Sequence, residues 1–392
     1  MRSTVNWHLS APAASRHVHR VRFRSWQDDN DTVLTPGQRP IWWLSWVAAP
    51  YEVVVRLRAY GYVRGWLARR QLPVPTISIG NLTVGGTGKT PLVIEITDWL
   101  LETGRKVGVL SRGYRRTSRE PLMLVSDGAR IVATPADAGD EPFLIAQRCP
   151  RAVVAVGADR YRLGWHVLKE CDVDCLVLDD GFQHLGVHRD VNLLLVDATD
   201  AVGLERLLPA GRLREPMTAA KRATGVIITR AEDPNQVDDV LKRLRSAVDR
   251  MPPTAQVVFR AKELVSVAAG ITRSLEFCKG TRAFLVSGVG HAASFRRTAE
   301  ELGVIIVDEV AYPDHYAYSV EDVGRIGKRA SDLKAAMTLT TEKDAAKIRA
   351  YLAPDDRSWW AVRLRVDWRT GQSEMRRIIL DARTTTGRGT GG

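Results

Sequence analysis

The sequence predicts an α/β fold, with a doubly wound, mostly parallel sheet followed by a second, smaller α/β domain. Past residue 75, short β-branched segments alternate with helical stretches, as in parallel sheets. The strand segments are apolar throughout, which is expected when helices cover both faces of the sheet. One of these strands runs directly into a glycine-rich loop and an amphipathic helix. Together these patterns favour the doubly wound class over an all-α or all-β fold.

Length and composition limit the possible classes of protein. The chain has 392 residues, of which 45% are hydrophobic and 26% charged, so it can bury one large core or two ordinary ones. Disorder along the whole chain is therefore excluded. None of the four cysteines has the CxxC spacing of zinc or redox sites, which favours a reducing compartment. The net charge of +12 suits nucleic acid, an anionic membrane or a phosphorylated substrate, and does not choose among them.

The chain divides into two series of strands and helices. The first belongs to a predicted P-loop domain over residues 41–255, and the second, from residue 283, to a smaller lobe over residues 256–383. The join is expected where Pro252 and Pro253 interrupt a helix and a short strand, residues 257–260, follows.

Both ends of the chain differ from the rest. Residues 1–25 contain five arginines and three histidines but no acid, so residues 1–40 are interpreted as a disordered basic extension. An organellar transit peptide and an incorrectly assigned start remain alternatives. Residues 384–392 are rich in glycine and threonine and are expected to be a disordered tail.

Residues 41–70 combine four of the eleven tryptophans with five arginines, a composition that suits a membrane interface. Pro50 and the repeated arginines leave no run of about 18 apolar residues, so no transmembrane helix is expected here or elsewhere. The arginines are spread around the helix, without the two-faced pattern of an interfacial helix. A membrane-surface helix and a partly buried structural helix are both compatible with this segment.

The strongest motif is the glycine-rich segment ISIGNLTVGGTGKTP, residues 77–91. Glycines let backbone N–H groups converge on phosphate oxygens, Lys89 can reach the β- and γ-phosphates, and Thr90 offers a hydroxyl to Mg²⁺. The motif is interpreted as a P-loop, although Thr83 occupies the position of the first consensus glycine. The predicted nucleotide-binding residues are Thr83, Val84, Gly85, Gly86, Thr87, Gly88, Lys89 and Thr90.

A second motif, CLVLDDGFQH, places Asp179 and Asp180 at the C-terminal end of an apolar strand. In P-loop enzymes an acid at this place binds Mg²⁺ together with the threonine that follows the P-loop lysine. Adjacent carboxylates repel each other unless a cation compensates them. A DDG sequence alone is more often a turn, but beside a P-loop it favours a metal site.

Two further clusters are less specific. Asp140 lies in GDEP and is expected in a loop before a helix, where an N-cap is the ordinary role; His315 lies in PDHY, where a solvated loop histidine is ordinary. Together they offer a carboxylate and an imidazole that can take a proton from a sugar hydroxyl. The segment TEKD, residues 341–344, lacks the [NT]KxD spacing that reads guanine, which favours ATP over GTP.

Seven motifs in order resemble the tetraacyldisaccharide 4'-kinases of lipid A biosynthesis over roughly residues 41–365. They are GNLTVGGTGKTP, LSRGY, GDEP, DDGFQH, LLPAGRLREP, YPDHYAYS and LTTEKDAAK. The resemblance implies transfer of the γ-phosphoryl of ATP to the 4'-hydroxyl of a tetraacyldisaccharide 1-phosphate, giving lipid IVA. It also implies an anionic acylated substrate and a peripheral location on the cytoplasmic face of the bacterial inner membrane.

The resemblance implies roles for individual residues as well. It places Lys89 and Thr90 on phosphate and Mg²⁺, with Asp179, Asp180 and Glu215 around the metal and the nucleotide. Asp140 would be the base that activates the acceptor hydroxyl, and His315 its orienting and charge-balancing partner. Because His315 belongs to the predicted smaller lobe, the resemblance also implies that this lobe completes the active site by closing over ATP. The predicted catalytic residues are therefore Lys89, Asp140 and His315, and the predicted metal ligands are Thr90, Asp179, Asp180 and Glu215.

The chain departs from the family pattern at several positions. Arg115 and Arg116 follow SRGY where a glycine is common, His291 stands where asparagine is usual, Tyr316 replaces a common second histidine, and Arg212 replaces a frequent proline. None of these departures removes a predicted catalytic group.

Two rival functions follow from the composition. The net positive charge motivates a nucleic-acid-dependent ATPase, but no recognisable nucleic-acid-binding module is present and no nucleic-acid partner is expected. A membrane-associated scaffold with a decayed nucleotide site is the other rival, and intact Lys89, Thr90, Asp179 and Asp180 argue against it. The sequence does not indicate an oligomeric state.

Overall fold

The computed structural model of the protein describes residues 44–290 and 292–383. The predictions for residues 1–40, residues 384–392 and His291 lie outside the described residues.

Thirteen strands and ten α-helices make up the described part of the chain. The strands are β1 (Thr76–Asn81), β2 (Val107–Ser111), β3 (Leu122–Asp127), β4 (Val153–Gly157), β5 (Cys175–Asp179), β6 (Val191–Asp197), β7 (Gly225–Thr229), β8 (Thr254–Ser266), β9 (Thr272–Arg273), β10 (Arg282–Ser287), β11 (Ile305–Ala311), β12 (Met337–Thr341) and β13 (Trp359–Thr370). The helices are α1 (Ser45–Val63), α2 (Lys89–Glu102), α3 (Pro135–Ala138), α4 (Asp140–Arg148), α5 (Arg160–Glu170), α6 (Pro234–Ala247), α7 (Ala292–Glu301), α8 (Val320–Asp332), α9 (Glu342–Ile348) and α10 (Gln372–Leu380).

All the strands belong to one mixed sheet. Its order is β11-β10-β12-β13-β8-β7-β6-β1-β5-β2-β4-β3, and β9 pairs with β8 outside this path. Most neighbours are parallel, whereas the pairs β3–β4, β8–β9 and β8–β13 are antiparallel. The predicted α/β class with a mostly parallel, doubly wound sheet is confirmed.

The central strands are buried from end to end, because helices cover both faces of the sheet. Every residue of β1, β2, β4, β5, β6 and β7 is buried. Helix α2 packs the stripe Val93, Ile96 and Leu100 into the core that also contains Ile77 and Ile79. This packing fixes the start of α2, and hence the glycine-rich loop, beside the C-terminal end of β1.

Two long antiparallel strands, β8 and β13, connect the two series of elements. The prediction of a short strand at residues 257–260 is wrong, because β8 has thirteen residues. Its first residues pair in parallel with β7, and the rest of it pairs with β13. Strand β13 also pairs with β12 of the second series.

The last helix, α10, packs against the first series of elements. Met375 and Ile379 of α10 are fully buried in the same hydrophobic cluster as Ile77 and Leu92. The end of the predicted smaller lobe therefore contributes to the core beneath the P-loop. The division at residue 255 stays a prediction.

Helix α1 covers most of the segment with the tryptophans and arginines. It attaches through its inner face, where Leu44 and Ala48 pack on Ala210 and the Tyr51 hydroxyl donates to the carbonyl oxygen of Arg214 at 2.9 Å. Among the described residues, no helix has the length and apolar character needed to cross a membrane.

Candidate active site

The loop between β1 and α2 has the backbone that phosphate binding requires. Gly88 is the N-cap of α2 with φ 81°, and Lys89 begins the helix. The N–H groups of residues 85–88 make no hydrogen bond with any described residue, so they are available to an anion at the helix N-terminus. Thr83 forms an isolated antiparallel bridge with Leu213, which holds the beginning of the loop.

Gly88 is required for space as well as for its left-handed backbone. A Cβ atom at this position would lie 2.2 Å from Cζ of Phe259 on β8. A side chain here would therefore have to displace an aromatic ring of the neighbouring strand.

Lys89 joins the P-loop to the paired acids at the end of β5. Its ammonium lies 3.3 Å from Oδ1 of Asn81 and 3.7 Å from Oδ1 of Asp180. The other carboxylate oxygen of Asp180 accepts a hydrogen bond from Nη1 of Arg214 at 2.8 Å. Burial opposes ionisation of Asp180, but the charges of Lys89 and Arg214 outweigh it and lower its pKa to about 2.

Asp179 has the opposite electrostatic environment. It is 2% exposed, and Oδ2 accepts a hydrogen bond from the hydroxyl of Ser111 at 2.7 Å. Burial, followed by the negative charge of Glu141, raises the pKa of Asp179 to about 6. The pKa values of the two adjacent carboxyl groups are thus driven apart, because at Asp179 burial and the negative charges of Glu141 and Asp180 outweigh the positive charge of Lys89.

The chemistry of these groups fits Mg²⁺. Oδ1 of Asp179 and Oδ1 of Asp180 are buried and accept no hydrogen bond from any described residue, and Thr90 is buried in the first turn of α2. Among the described residues, no three acidic, histidine or cysteine side chains are grouped to hold a metal by themselves. Mg²⁺ commonly uses one or two carboxylates together with substrate phosphates, which agrees with such a pair.

Glu215 has a different set of contacts from Asp179 and Asp180. Its Oε2 accepts a hydrogen bond from Nη2 of Arg222 at 2.7 Å, and its Oε1 is buried without a partner among the described residues. The structure thus shows an ion pair for Glu215 and no described contact with Asp179 or Asp180. Its assignment to the metal stays a prediction.

Asp140 and His315 are brought together although they are 175 positions apart. Nδ1 of His315 lies 3.2 Å from Oδ2 of Asp140, and the ammonium of Lys347 lies 3.3 Å from the same oxygen. The expectation that Asp140 lies in a loop is wrong: Gly139 is the N-cap and Asp140 is the first residue of α4. Burial raises the pKa of Asp140, but the His315 hydrogen bond and the Lys347 charge bring it below its ordinary value.

Glu141 connects this cluster electrostatically with the P-loop. Its carboxylate pairs with the ammonium of Lys343. Burial opposes its ionisation, but the positive charges of Lys343, Lys89 and His315 lower its pKa. Since Glu141 also raises the pKa of Asp179, its carboxylate interacts electrostatically with Lys89 and Asp179 as well as with His315.

Comparisons with known proteins show the family of the chain. A family model described as LpxK, tetraacyldisaccharide-1-P 4'-kinase, matches residues 40–384. The tetraacyldisaccharide 4'-kinase of Geobacter sulfurreducens is 39% identical over 306 residues, covering 78% of this chain and 84% of the relative. That of Anaeromyxobacter sp. (strain Fw109-5) is 37% identical over 364 residues, covering 88% and 96%. The chain belongs to the tetraacyldisaccharide-1-P 4'-kinase family.

A solved structure of the family is similar along nearly its whole length. The crystal structure of "apo" form LpxK from Aquifex aeolicus in complex with ATP has a TM-score of 0.70 and 30% sequence identity, covering 86% of this chain and 97% of that chain. The predicted resemblance and the predicted ATP-dependent kinase class are confirmed. The family assignment favours the kinase over the two rival functions.

Two of the departures from the 4'-kinase pattern concern the loop of His315. Nη1 of Arg115 donates to the carbonyl oxygen of Asp314 at 3.0 Å, so it links the SRGY loop with the loop of His315. The Tyr316 hydroxyl donates to Oδ2 of Asp322 at 3.1 Å and its ring stacks on Tyr312. The Tyr316 side chain is therefore directed to the first turn of α8. Of the neighbouring residues His315 and Tyr316, only His315 contacts Asp140.

Several site residues of this 4'-kinase were missed from the sequence. Three of these residues lie inside motifs identified in the sequence: Lys347 in LTTEKDAAK, Arg214 in LREP and Ser111 in LSRGY. A motif does not indicate which of its side chains contacts an acidic residue in another part of the chain. Arg160 is buried, and its Nη2 lies 3.5 Å from the carbonyl oxygen of Asp179. The signal for Arg160 is a charged residue at the start of an amphipathic helix, which is ordinarily a surface feature.

Proposed function

We propose that the protein transfers the γ-phosphoryl of ATP to the 4'-hydroxyl of a tetraacyldisaccharide 1-phosphate, with Asp140 as the general base. Family membership supports the reaction. The observation that carries the assignment of Asp140 is its contact with His315 and Lys347, which brings a carboxylate together with two potential cations. The product is the bis-phosphorylated lipid A precursor.

Asp140 and its partners would handle the proton. The lowered pKa keeps Asp140 ionised at neutral pH, so Oδ1 or Oδ2 can accept the proton of the 4'-hydroxyl. The sugar oxygen then forms a bond to the γ-phosphorus while the bond to the β-phosphate oxygen breaks, and ADP leaves with the electron pair. His315 and Lys347 orient the carboxylate and balance its charge.

The remaining groups would bind and orient ATP. The free N–H groups of residues 85–88 and the ammonium of Lys89 would hold the phosphates in line with the acceptor. Thr90, Asp179 and Asp180 would hold Mg²⁺, with Glu215 nearby. The metal, when bound, neutralises charge that develops on the phosphate oxygens.

An assay with labelled ATP, Mg²⁺ and a tetraacyldisaccharide 1-phosphate in detergent tests the assignment. Asp140→Asn is expected to reduce kcat by a factor of about 10²–10⁴, the usual range for losing a general base, with nucleotide affinity largely kept. Lys89→Ala is expected to lower both turnover and ATP affinity, because the ammonium contacts the phosphates in ground and transition states.

The matched control is Asp137→Asn on the short helix α3, three residues before Asp140. Asp137 bonds to Thr134 and Thr117 at the surface, so turnover should stay near that of the parent protein. Equal turnover of Asp140→Asn and the parent would remove Asp140 from the mechanism.

The outer face of α1 supports binding at a membrane surface. Its exposed apolar side chains are Trp46, Val53, Val54, Leu57, Tyr60 and Val63. Arg56 and Arg64 are exposed as well, whereas Arg58 donates to the carbonyl oxygen of Gln183. Each basic residue near an anionic leaflet adds about 1 kcal/mol of attraction. An enzyme that acts on an acylated sugar has to meet it at the bilayer. The inferred location is the cytoplasmic face of the inner membrane.

A vesicle assay tests this location. Replacing Trp46, Val54 and Leu57 by serine keeps the inner face of α1 and should weaken sedimentation with phosphatidylglycerol vesicles, while turnover in detergent remains. The control replaces Ile131 and Val132 by serine; both are exposed apolar residues between β3 and α3. Unchanged vesicle binding of the α1 variant would contradict the proposal.

A further inference from the structure

The outward carbonyl groups of the phosphate-binding loop are held by side chains from other parts of the chain. The carbonyl oxygen of Val84 accepts a hydrogen bond from Nη2 of Arg212. The carbonyl oxygen of Gly86 accepts one from Nη2 of Arg230 at 2.9 Å. The carbonyl oxygen of Thr87 accepts one from the hydroxyl of Thr229 at 2.9 Å. The loop backbone is thus bound on its carbonyl side, and its N–H groups at residues 85–88 remain available on the other.

Arg212 makes the most extensive of these contacts. Its backbone oxygen accepts from the N–H of Val84 at 2.9 Å, so Val84 is bound by both the main chain and the side chain of one residue. The guanidinium lies directly against Gly85, where a Cβ would be 2.3 Å from Nη2. Gly85 has φ 108°, so the arginine packs on the backbone where the loop is intrinsically most free.

The charge of Arg212 is compensated below the loop. Nη1 donates to Oδ2 of Asp200 at 2.7 Å, and both side chains are about 95% buried. One planar fork therefore joins a buried carboxylate to a loop carbonyl, a geometry that the single ammonium of lysine does not reproduce. Asp197 supports Arg230 in a similar way, at the other side of the loop.

A glycine-rich loop binds phosphate well only if its N–H groups are already in place. Residues 85–88 include three glycines, so an unrestrained loop would lose much conformational entropy on binding. In the described structure the side chains of Arg212, Arg230 and Thr229 already restrain this loop through its carbonyl oxygens.

We propose that Arg212, held by Asp200, is a positioning residue that preorganises the phosphate-binding loop for the triphosphate of ATP. The proposal rests on the proposed binding of ATP at residues 83–90. It assigns to Arg212 an effect on nucleotide affinity and none on recognition of the lipid.

The test uses variants that do not leave a buried charge alone, because removing one partner of a buried ion pair can prevent folding. Arg212→Met with Asp200→Asn removes both charges, and Arg212→Lys keeps the charge but loses the fork. The readouts are ATP affinity by equilibrium dialysis with labelled ATP, the thermal midpoint without nucleotide, and the KM for each substrate. The control is Arg243→Lys, which changes an exposed arginine paired with Glu205.

Both Arg212 variants are expected to bind ATP on the order of tenfold more weakly and to raise the KM for ATP by a similar factor, as loss of a supporting contact does elsewhere. The KM for the acylated disaccharide should not change, and Arg243→Lys should match the parent. A merely structural role would lower the thermal midpoint without this split between the two KM values.

Three outcomes decide the question. Weaker ATP binding with an unchanged lipid KM supports the proposal. Parental ATP affinity in folded Arg212 variants, or equal changes in both KM values, overturns it and leaves the proposed function intact. Failure of the parent protein itself to bind ATP overturns both the positioning role and the proposed function.

Discussion

Asp140 illustrates how single residues set the chemistry of this site. Its side chain is only 15% exposed, yet its carboxylate contacts an imidazole and an ammonium that offset the cost of burial. The motif GDEP made Asp140 a candidate, and PDHY did the same for His315. Lys347 was beyond sequence reasoning, because the contact depends on how α9 packs on α4, which no local pattern encodes.

Replacing Lys347 by methionine should therefore make Asp140 harder to ionise. Desolvation already raises the pKa of Asp140, and the ammonium is one of the groups that lower it. We expect the acid limb of the kcat/KM profile to move to higher pH, because a nearby positive charge favours the ionised carboxylate. Measured pH–rate profiles check this, with Lys242→Met on the surface of α6 as the control. An unmoved acid limb would contradict the role of Lys347.

Replacing Asp179 or Asp180 by asparagine should change the free energy of unfolding in opposite directions. The folded-state pKa of Asp179 is raised to about 6 from 3.8, so the folded protein binds more protons than the unfolded chain between those values. Asp179→Asn should therefore increase the free energy of unfolding above pH 6, by about 1–3 kcal/mol, and lose this advantage as the pH falls to about 4.

Asp180→Asn is the matched comparison. The pKa of Asp180 is lowered to about 2, so its charge stabilises the folded protein above pH 4, and the stabilisation is lost as the pH falls through 2. Asn at this position should therefore destabilise the protein at neutral pH. Urea titrations of the metal-free protein at pH 4, 6 and 8 check both variants; the same sign for both at pH 8 would contradict this electrostatic account.

At the scale of elements, the two glycines that flank α2 allow two effects to be measured separately: the cost of a left-handed backbone and the cost of a steric clash. Gly88 and Gly104 have nearly the same left-handed φ, 81° and 83°, but a Cβ at Gly104 would meet nothing within 4 Å. Gly104→Ala should cost about 1 kcal/mol for the backbone alone. Gly88→Ala should cost about 1–3 kcal/mol more, because it also meets Phe259, and should abolish ATP binding.

Chemical denaturation and equilibrium dialysis with labelled ATP check this pair. Nucleotide affinity should be parental in Gly104→Ala and absent in Gly88→Ala. Equal losses of stability in the two variants would show that the Phe259 ring can move aside at little cost in free energy.

The elements themselves were predictable to different degrees. The strands of the first series were found because apolar runs between helices have few alternatives. Strand β8 was predicted too short, since Lys262 and Glu263 interrupt its apolar pattern. The structure shows why charge is tolerated there: Glu263 lies opposite Arg363 of the antiparallel β13 and pairs with it at 2.8 Å. A cross-strand partner a hundred positions away is not visible in a local pattern.

At the scale of the whole molecule, α10 makes the two series depend on each other. Met375 of α10 is buried with the core of the first series, whereas Met337 of β12 is buried in a cluster of the second series. Each methionine-to-alanine change should lower stability by about 2–5 kcal/mol. If the two series unfold together, both variants shift one common transition to lower urea.

Fluorescence-monitored and circular-dichroism-monitored urea titrations check this expectation. A common shift would show that the predicted lobes share one cooperative unit. Separate transitions, each moved by only one of the two variants, would show instead that the predicted lobes are independent units. This interdependence was not predictable, because the apolar stripe of α10 fits either series equally well.

The anchorage of α1 has a consequence for how an insoluble substrate is handled. Tyr51 of α1 donates to the main chain of Arg214, and the side chain of Arg214 holds Asp180. If the outer face of α1 rests on lipid, the catalytic centre stands roughly one helix diameter, about 10 Å, above the headgroups. The sugar of the amphiphile then needs only to tilt upward while its acyl tails stay in the leaflet, and no carrier has to extract it.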